Sequence, residues 1–240
     1  MSFGGVVIFT VSARGKPSNT PIKSFLDYSY TFPLEQIESI FGFVEKCTLY
    51  GGRVFKGPQL IDKDVDWMYD KGIGLRLPLT NHYAEREEYE SCAGFLEKYH
   101  REGNSIICTN DELARWVRED FPDYQLEASI IKNIVTYEKI EEMLDLYHTV
   151  VLPTHLNNDW EFLEKVPSKD RITLFAWAGC GVNCKSKICY PSISKINKNN
   201  GEGELKCSRT LKEREALGRV HFDLEKFTEM GFSRFKCPRP

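Results

Sequence analysis

The alternation of short β-rich runs with helical patterns along this 240-residue chain predicts an α/β fold, a closed (β/α)8 TIM-type barrel. Eight β-rich runs can be counted, at residues 6–11, 47–50, 73–79, 105–108, 125–131, 149–152, 172–177 and 234–237. Strand, helix and strand at this spacing indicate parallel pairing, because a right-handed crossover helix returns the chain in the same direction. An open doubly wound sheet is the runner-up, disfavoured because neither G-x-G-x-x-G nor G-x-x-x-x-G-K-[ST] occurs.

Helical periodicity fills most of the intervals between these strands. The helical patterns cover residues 34–46, 62–71, 85–102, 111–120, 137–147, 159–166 and 223–230. Asn110 or Asp111 supplies an N-cap, and Gly72, Gly103 and Gly231 each follow a last periodic residue, as a left-handed C-terminal cap requires. Residues 1–240 are therefore predicted to form a single barrel domain.

The composition indicates a globular protein of a reducing compartment. No stretch reaches the roughly 18 apolar residues that a membrane span needs. The N-terminus lacks the basic-then-apolar pattern of a secretory signal, so we expect a cytoplasmic protein with no membrane partner. Eight cysteines are too few for a disulfide scaffold, and in such a compartment they favour free thiols, metal ligation or catalysis. The net charge of −3 gives no global attraction to nucleic acid.

The interval after the seventh strand is enlarged and rich in cysteine. It is longer by roughly 30 residues than an ordinary βα unit, and it opens onto the face where barrel enzymes carry their active sites. It contains Cys180, Cys184, Cys189 and Cys207, while Cys237 ends the eighth strand on the same rim. Four such thiolates suffice for a [4Fe–4S] cluster, with zinc as the alternative and Cys237 as an alternative ligand. A loop of scattered thiols that bind nothing remains the plainer interpretation.

Charge is uneven within this loop. Residues 185–219 contain nine Lys or Arg against four Glu, in a chain that is acidic as a whole. A solvated basic loop explains this pattern, and a phosphate or RNA footprint is the sharper hypothesis. Residues 195–204, with three Asn and two Gly, are expected to make the insertion partly mobile.

Four further residues at predicted strand ends are candidates for the site. Arg53 follows paired glycines and can reach an anion, and Asn81 follows the third strand, so both are predicted to bind substrate. Glu127 in the fifth strand, if it faces the interior, needs a partner and is a candidate acid or base, or else a structural hydrogen-bonding group. His155 after the sixth strand is a candidate base, a metal ligand or a core residue. We take Glu127 and His155 as the predicted catalytic residues.

Several segments taken in order resemble the peptidase U32-like group of barrel proteins. They are Tyr50-Gly51-Gly52-Arg53, Leu79-Thr80-Asn81, Val150-Val151-Leu152-Pro153, Ala178-Gly179-Cys180 to Cys184, and Gly231-Phe232-Ser233-Arg234-Phe235-Lys236. The resemblance implies a TIM-type barrel in a divergent, short member. It also implies an activity, since related proteins use an iron–sulfur cluster to hydroxylate tRNA or rRNA bases and others carry a peptidase label. Cys237-Pro238-Arg239 departs from the apolar residue, Gly and Arg that typically continue the family's last strand.

Three functional hypotheses follow from these observations. The first is a cluster-dependent enzyme acting on RNA. The second is a U32-type peptidase, for which neither G-x-S-x-G nor H-E-x-x-H is present. The third is a non-catalytic barrel used for binding or assembly, including assembly into a homo-oligomer, because a fold alone does not confer activity.

Overall fold

A computed structural model describes residues 6–182, 184 and 186–239. Its strands are β1 (Ile8–Ser12), β2 (Ile37–Phe41), β3 (Gly74–Leu77), β4 (Ser105–Cys108), β5 (Gln125–Ala128), β6 (Thr149–Val151), β7 (Ile172–Phe175), β8 (Trp177–Ala178), β9 (Val220–His221) and β10 (Arg234–Cys237). Its α-helices are α1 (Ile22–Ser29), α2 (Asp62–Asp70), α3 (Arg86–Ser91), α4 (Ala93–Lys98), α5 (Asp111–Asp120), α6 (Tyr137–Leu146), α7 (Trp160–Lys165), α8 (Cys189–Lys198), α9 (Leu211–Ala216) and α10 (Leu224–Glu229). Short 3-10 turns occupy Leu34–Gln36, Ile130–Lys132, Thr154–Asn158 and Lys169–Arg171.

Eight of the strands close into a barrel in the order β1-β10-β7-β6-β5-β4-β3-β2. Every neighbouring pair in this ring is parallel, with Thr10 opposite Lys236 where β1 meets the final barrel strand, β10. Helices occupy the connections between successive strands, which is the architecture of a (β/α)8 barrel. The predicted fold class is therefore confirmed.

The second barrel strand lies elsewhere than the sequence predicted. Residues 47–50 form a turn, and the strand is Ile37–Phe41, inside the segment predicted as a helix over 34–46. Apolar residues at 37, 40, 41 and 44 imitate helical spacing. Ser39 nevertheless faces the barrel interior, where its hydroxyl lies 3.3 Å from that of Thr10 and accepts from Arg76 Nε at 3.0 Å. These partners are distant in sequence, so local spacing could not reveal them.

The two faces of the barrel strands differ sharply in chemistry. Alternation turns one residue in two outward, and these outward residues are apolar and almost fully buried under the helices, including Leu75, Leu77, Leu126, Leu174 and Phe235. Many inward positions are polar and equally buried: Thr10, Ser39, Arg76, Glu127, Thr149, Thr173 and Lys236. Apolar Ile107 and Phe41, in register with Glu127 and Arg76, also face inward. The apolar core is therefore the layer between strands and helices, and charge fills the ring itself.

The enlarged loop after β7 is closed at its base by a small antiparallel ladder. Trp177 and Ala178 of β8 pair with His221 and Val220 of β9, and α8 and α9 lie between these two strands. The predicted insertion is thus present, although Lys185, its first residue in the predicted basic stretch, lies outside the described residues. Among the helices described for this chain, none is both long enough and apolar enough to cross a membrane.

Candidate functional site at the barrel mouth

The insertion lies across the C-terminal mouth of the barrel, and a buried asparagine anchors it there. Asn81 Nδ2 donates to the backbone carbonyls of Thr48 (2.8 Å), Tyr50 (3.3 Å) and Ser194 (3.1 Å), the last within α8. Its Oδ1 accepts from the backbone N–H of Tyr83 at 2.9 Å. Asn81 is fully buried, so these bonds satisfy groups that water does not reach. Its role in substrate binding stays a prediction, and its amide is already engaged in this tether.

A second asparagine, Asn197, ties the other end of α8 to the loop after β2. Its Nδ2 donates to the carbonyls of Tyr50 at 2.9 Å and Arg53 at 2.8 Å. Before the helix begins, the Lys187 ammonium donates to Asn133 Oδ1 in the loop after β5. The insertion therefore spans the mouth from the ends of β2 and β3 to the end of β5.

The paired glycines before Arg53 have the close-approach geometry that the sequence suggested. A Cβ on Gly51 would overlap the carbonyl oxygen of Thr80, and Gly52 has φ of 72°, a left-handed value. Glycine alone adopts both conformations without cost. The turn brings the loop after β2 against the end of β3 and directs Arg53 to the mouth.

The guanidinium of Arg53 is largely buried and has no carboxylate partner among the described residues. It lies over the ring of Phe43, with Cζ 4.7 Å from the ring centroid, and Nη2 donates to Gln59 Oε1 at 3.0 Å. Its Nη1 is buried and has no hydrogen-bond partner among the described residues. Burial, with a smaller effect from the charge of Arg14, lowers the pKa of Arg53 to about 9. The position suits the predicted binding of an anion, which itself stays a prediction.

The four predicted cysteine ligands of the insertion are electrostatic neighbours. Burial raises the pKa of Cys189, and the thiols of Cys207, Cys184 and Cys180 raise it further. Burial raises the pKa of Tyr190, and three of the four cysteines, Cys189, Cys180 and Cys184, raise it further. Because such effects fall off with distance, the four sulfurs lie in one region of the mouth.

Hydrogen bonds hold the two cysteine-bearing segments of the insertion together. The backbone N–H of Lys187 is the largest influence on Cys184 and lowers the pKa of its thiol, favouring the thiolate that binds metals. The Ser208 hydroxyl lies 3.8 Å from Cys184 Sγ, and Arg209 Nη1 donates to the Cys180 carbonyl at 3.0 Å. The segment that follows Cys207 is therefore bound to Cys180 and Cys184.

The donor chemistry suits a thiolate-bound metal, but the ligands are not yet gathered. Within residues 6–182, 184 and 186–239, no group of three His, Cys, Asp or Glu side chains is placed to hold a metal ion. A metal would have to draw the thiols closer, and the exposed position of Cys180 permits that movement. The alternative ligand Cys237 is fully buried beside Tyr30, on the strand face opposite Lys236, and burial raises the pKa of its thiol.

Glu127 lies in the barrel interior between two cations. Its Oε2 pairs with Arg76 Nη1 and its Oε1 with Lys236 Nζ, and all three side chains are buried. Burial raises the pKa of this carboxyl, but the charges of Arg76 and Lys236 outweigh it and lower the pKa to about 2. A general acid or base works best with a pKa near the working pH, so these contacts favour the structural interpretation. The catalytic assignment of Glu127 stays a prediction.

His155 lies in the 3-10 turn Thr154–Asn158 that follows β6, and it is exposed at the mouth. Burial of part of the ring and the charge of Lys187 lower its pKa, so the imidazole is neutral at pH 7. In the described part of the chain it makes no side-chain hydrogen bond that would activate a nucleophile. Its roles as base or ligand stay predictions.

Sequence reasoning missed several partners at this site. Arg76 and Lys236, which neutralise Glu127, lie 51 and 109 residues away from it. The sulfurs of Cys47 and Cys92, 45 residues apart in the sequence, lie 3.6 Å apart. The hydrogen bond between them lowers the pKa of Cys92 and raises that of Cys47. Only the fold brings these residues together, and no local pattern marks them.

A cleft of about 480 Å³ lies between α8 and the residues that follow it. Its lining includes Ile188 and Ser192, which flank the predicted ligand Cys189, and Lys195. None of the predicted catalytic or substrate-binding residues lines it. The remaining lining residues are Pro191, Ile196, Asn199, Glu202, Gly203, Glu204 and Lys206.

The closed parallel ring and its inserted cover define the class: a (β/α)8 barrel whose mouth is spanned by a cysteine-bearing insertion. Among solved structures, the chain is similar to the structure of the U32 peptidase Mk0906, with a TM-score of 0.67 and 13% sequence identity. The match covers 100% of this chain and 95% of that chain. The chain therefore has a U32-like barrel fold, as the sequence resemblance implied, and at this identity the likeness shows the fold alone. No protein-family model and no curated protein sequence matches the chain.

Proposed function

We propose that the chain is a metal-binding barrel protein in which Cys180, Cys184, Cys189 and Cys207 hold a [4Fe–4S] cluster. The observation that supports this proposal is the contact between two cysteine-bearing segments: next to Cys207, the Ser208 hydroxyl lies 3.8 Å from Cys184 Sγ, and Arg209 Nη1 donates to the Cys180 carbonyl at 3.0 Å. Four thiolates are the usual ligand set of such a cluster, and zinc is the alternative metal. Cys237 serves as a ligand only if β10 turns its buried thiol toward the insertion.

We further propose RNA as the substrate and base modification as the reaction, as in proteins of the U32-like group. A cluster bound at the mouth would supply one-electron redox chemistry. The chain itself would hold the polyanion through the basic insertion, where Lys195 Nζ lies 5.5 Å from the centroid of the exposed Tyr83 ring. A cation beside an exposed aromatic ring suits a nucleotide, which offers both a phosphate and a base to stack. The neutral His155 imidazole is available to accept a proton.

Metal analysis of anaerobically purified protein tests the ligand set. We expect about four irons and four sulfides per chain and absorption near 400 nm, the signature of the proposed cluster. Cys189→Ser is expected to lose most of the iron, whereas Cys92→Ser, which removes a thiol outside the insertion, is the matched control and should keep it. Iron-free, zinc-free protein would refute metal binding, and about one zinc per chain would replace the cluster with the structural alternative.

RNA binding can be measured separately from the metal. The double variant Lys195→Gln/Lys206→Gln removes two charges of the insertion, and we expect weaker binding of a tRNA transcript with a shallower salt dependence. Lys139→Gln/Lys165→Gln removes two exposed charges from α6 and α7 and should change neither quantity. Equal losses in both pairs would indicate non-specific attraction and would argue against RNA as the substrate.

A second candidate is a non-catalytic binding or assembly protein on the same barrel. The engagement of Glu127 by two cations and of Asn81 by three carbonyls favours it, because both predicted site residues already have structural partners. Light scattering that shows a defined homo-oligomer, together with metal-free protein that folds normally, would support this candidate. The peptidase alternative draws on the name of the similar structure, and turnover of a peptide library would be required to sustain it.

A further inference from the structure

Three arginines follow three neighbouring strands at the mouth. In the barrel, β10, β1 and β2 are consecutive, and Arg239, Arg14 and Arg53 follow these strands in that order. The ends of parallel strands meet at one rim, so residues that follow them lie side by side. None of the three belongs to the basic stretch that the sequence emphasised.

Close packing of the connecting loops brings their guanidinium groups together. A Cβ on Gly42 would lie 3.0 Å from Ala13 Cβ and 3.3 Å from Gln59 Oε1, so the loops after β1 and β2 touch at this point. Gln59 Oε1 is the atom that accepts from Arg53, which lies within electrostatic reach of Arg14. The Arg239 side chain lies against Gly15, the residue next to Arg14.

These cations have no counterion in the described part of the chain. No Asp or Glu carboxylate lies within ion-pair distance of any of the three, whereas buried Arg76, Lys236 and Lys16 all have one. Burial and the charge of Arg239 lower the pKa of Arg14, as Arg14 does for Arg53. Arg53 adds a buried Nη1 that donates to no described atom. Arg14 and Arg239 are exposed and Arg53 Nη1 is buried, so an anion entering from solvent could lie among them, relieve their mutual repulsion and accept the unused hydrogen bond of Arg53.

We infer that Arg14, Arg53 and Arg239 form a binding site for the phosphate group of a small phosphomonoester. Guanidinium groups donate in a fixed fork that matches the oxygens of phosphate, and a dianion compensates more of three positive charges than a carboxylate does. Cys180 borders the site, because its thiol acts electrostatically on Arg14. A phosphorylated small molecule held here would therefore present its remainder to the cysteine-bearing insertion.

Calorimetric titration of the full chain with inorganic phosphate and with adenosine monophosphate, at constant ionic strength in chloride, tests the site. We expect saturable binding of both, since each carries a phosphate group. Tighter binding of the nucleotide would show that the site takes the phosphate of an organic ligand. Arg14→Gln is expected to weaken phosphate binding by at least about tenfold, the value of one charge-assisted contact. Arg53→Lys keeps the positive charge but loses the paired guanidinium donors. It should weaken phosphate binding while the chain still folds.

Arg101→Gln is the matched control, since Arg101 is exposed, stacks over Tyr69 at 4.0 Å and precedes β4 at the opposite end of the barrel. It should bind phosphate like the native chain. The absence of saturable binding, an equal loss in Arg101→Gln, or tighter binding of succinate than of phosphate would each overturn the inference. Metal-free protein should bind phosphate like the native chain, so failure of the metal proposal leaves this test unaffected.

Discussion

The barrel interior and the barrel mouth both contain buried guanidinium groups, but in the described part of the chain Arg76 of the interior has carboxylate partners and Arg53 of the mouth has none. In the interior, Glu127 sits between Arg76 and Lys236, and Glu38 binds Arg76 at 3.0 Å. At the mouth, Arg53 stacks on an aromatic ring, and its Nη1 finds no acceptor in the part of the chain that the structure describes. The same residue type is thus part of the scaffold in one place and open to a ligand in the other.

Whether a cation has a carboxylate partner indicates better than its burial whether it contributes to stability or to ligand binding. Charges that are fully paired inside a protein are costly to disturb, because removing one partner strands the other. Cations without a partner contribute little to stability, and an external anion that binds them supplies the missing partner. Substitutions in the two regions should therefore change the free energy of unfolding by different amounts and in opposite directions.

The largest effect is expected inside the barrel. Glu127→Gln would leave Arg76 and Lys236 facing each other without a carboxylate, and we expect the free energy of unfolding to fall by about 3–5 kcal/mol. Urea denaturation measures it. Asp27→Asn, which breaks the exposed pair between Lys23 and Asp27, is the control and should show no measurable change.

A double variant shows whether the pairing itself is responsible. Lys236→Met removes one cation and leaves Glu127 with Arg76, so Lys236→Met/Glu127→Gln should cost less than the sum of the single changes. If the losses in free energy of unfolding are additive, Glu127 and Lys236 act independently. Pairing would then not distinguish the interior charges from those of the mouth.

Lowering the pH should reduce the stability that Glu127 contributes in the barrel interior. The pKa of Glu127 is lowered from 4.5 to about 2 in the folded chain, so its contribution is complete above pH 4.5 and is lost as the pH falls toward 2. Two and a half pKa units correspond to about 3 kcal/mol. Thermal unfolding between pH 6 and pH 2 should show this loss in the native chain, and Glu127→Gln should lack that component. An identical acid profile in both chains would contradict the assignment.

A smaller effect is expected where the insertion is tethered. Asn81→Ala removes donors from the carbonyls of Thr48, Tyr50 and Ser194, and we expect a loss of about 1–3 kcal/mol. Hydrogen exchange should become faster in α8 and in residues 47–50, while β4 and β5 keep their protection. Asn199→Ala is a suitable control, because Asn199 is exposed just beyond the helix. Uniform acceleration across the barrel would show that Asn81 supports the whole fold instead.

The smallest effect, and the opposite sign, is expected for an arginine of the mouth. Arg14→Gln removes one of three mutually repelling cations, so stability should stay within about 0.5 kcal/mol of the native value or rise. Added phosphate should raise the melting temperature of the native chain more than that of the variant, by the linkage of binding to folding. A marked destabilisation by Arg14→Gln would place this residue among the structural charges.

The sequence was informative where the structure depends on local spacing. The β4 and α5 boundaries follow directly from an apolar run and from Asn110, whose side chain caps the helix by accepting from Glu112 and Leu113. It failed at β2, because Ile37 and Ile40 repeat at helical spacing while Ser39 finds its partners across the barrel. Parallel barrels bury both faces of a strand, so periodicity loses its value for the strands that line a polar interior.

The candidate site likewise has features that the local sequence shows and features that depend on distant partners. Its cysteines and paired glycines are visible as a motif, and the resemblance to the U32-like group correctly implied the fold. The anchoring role of Asn81 and the neutralisation of Glu127 depend on partners between 31 and 113 residues away, which no local pattern specifies. Arg53 was a candidate from the sequence, but its grouping with Arg14 and Arg239 could not be predicted, since each follows a different strand.

The tether of the insertion has a consequence for how this protein can change. Asn81 and Asn197 hold α8 in place through main-chain oxygens, so the attachment does not depend on which side chains stand at positions 48, 50 or 194. Thr48 is only half-buried and can vary to reshape the entrance while its cover stays docked, whereas Tyr50 and Ser194 are fully buried and Ser194 Oγ also accepts from the backbone N–H of His82. A barrel built in this way can change its entrance at partly exposed positions without first loosening its architecture.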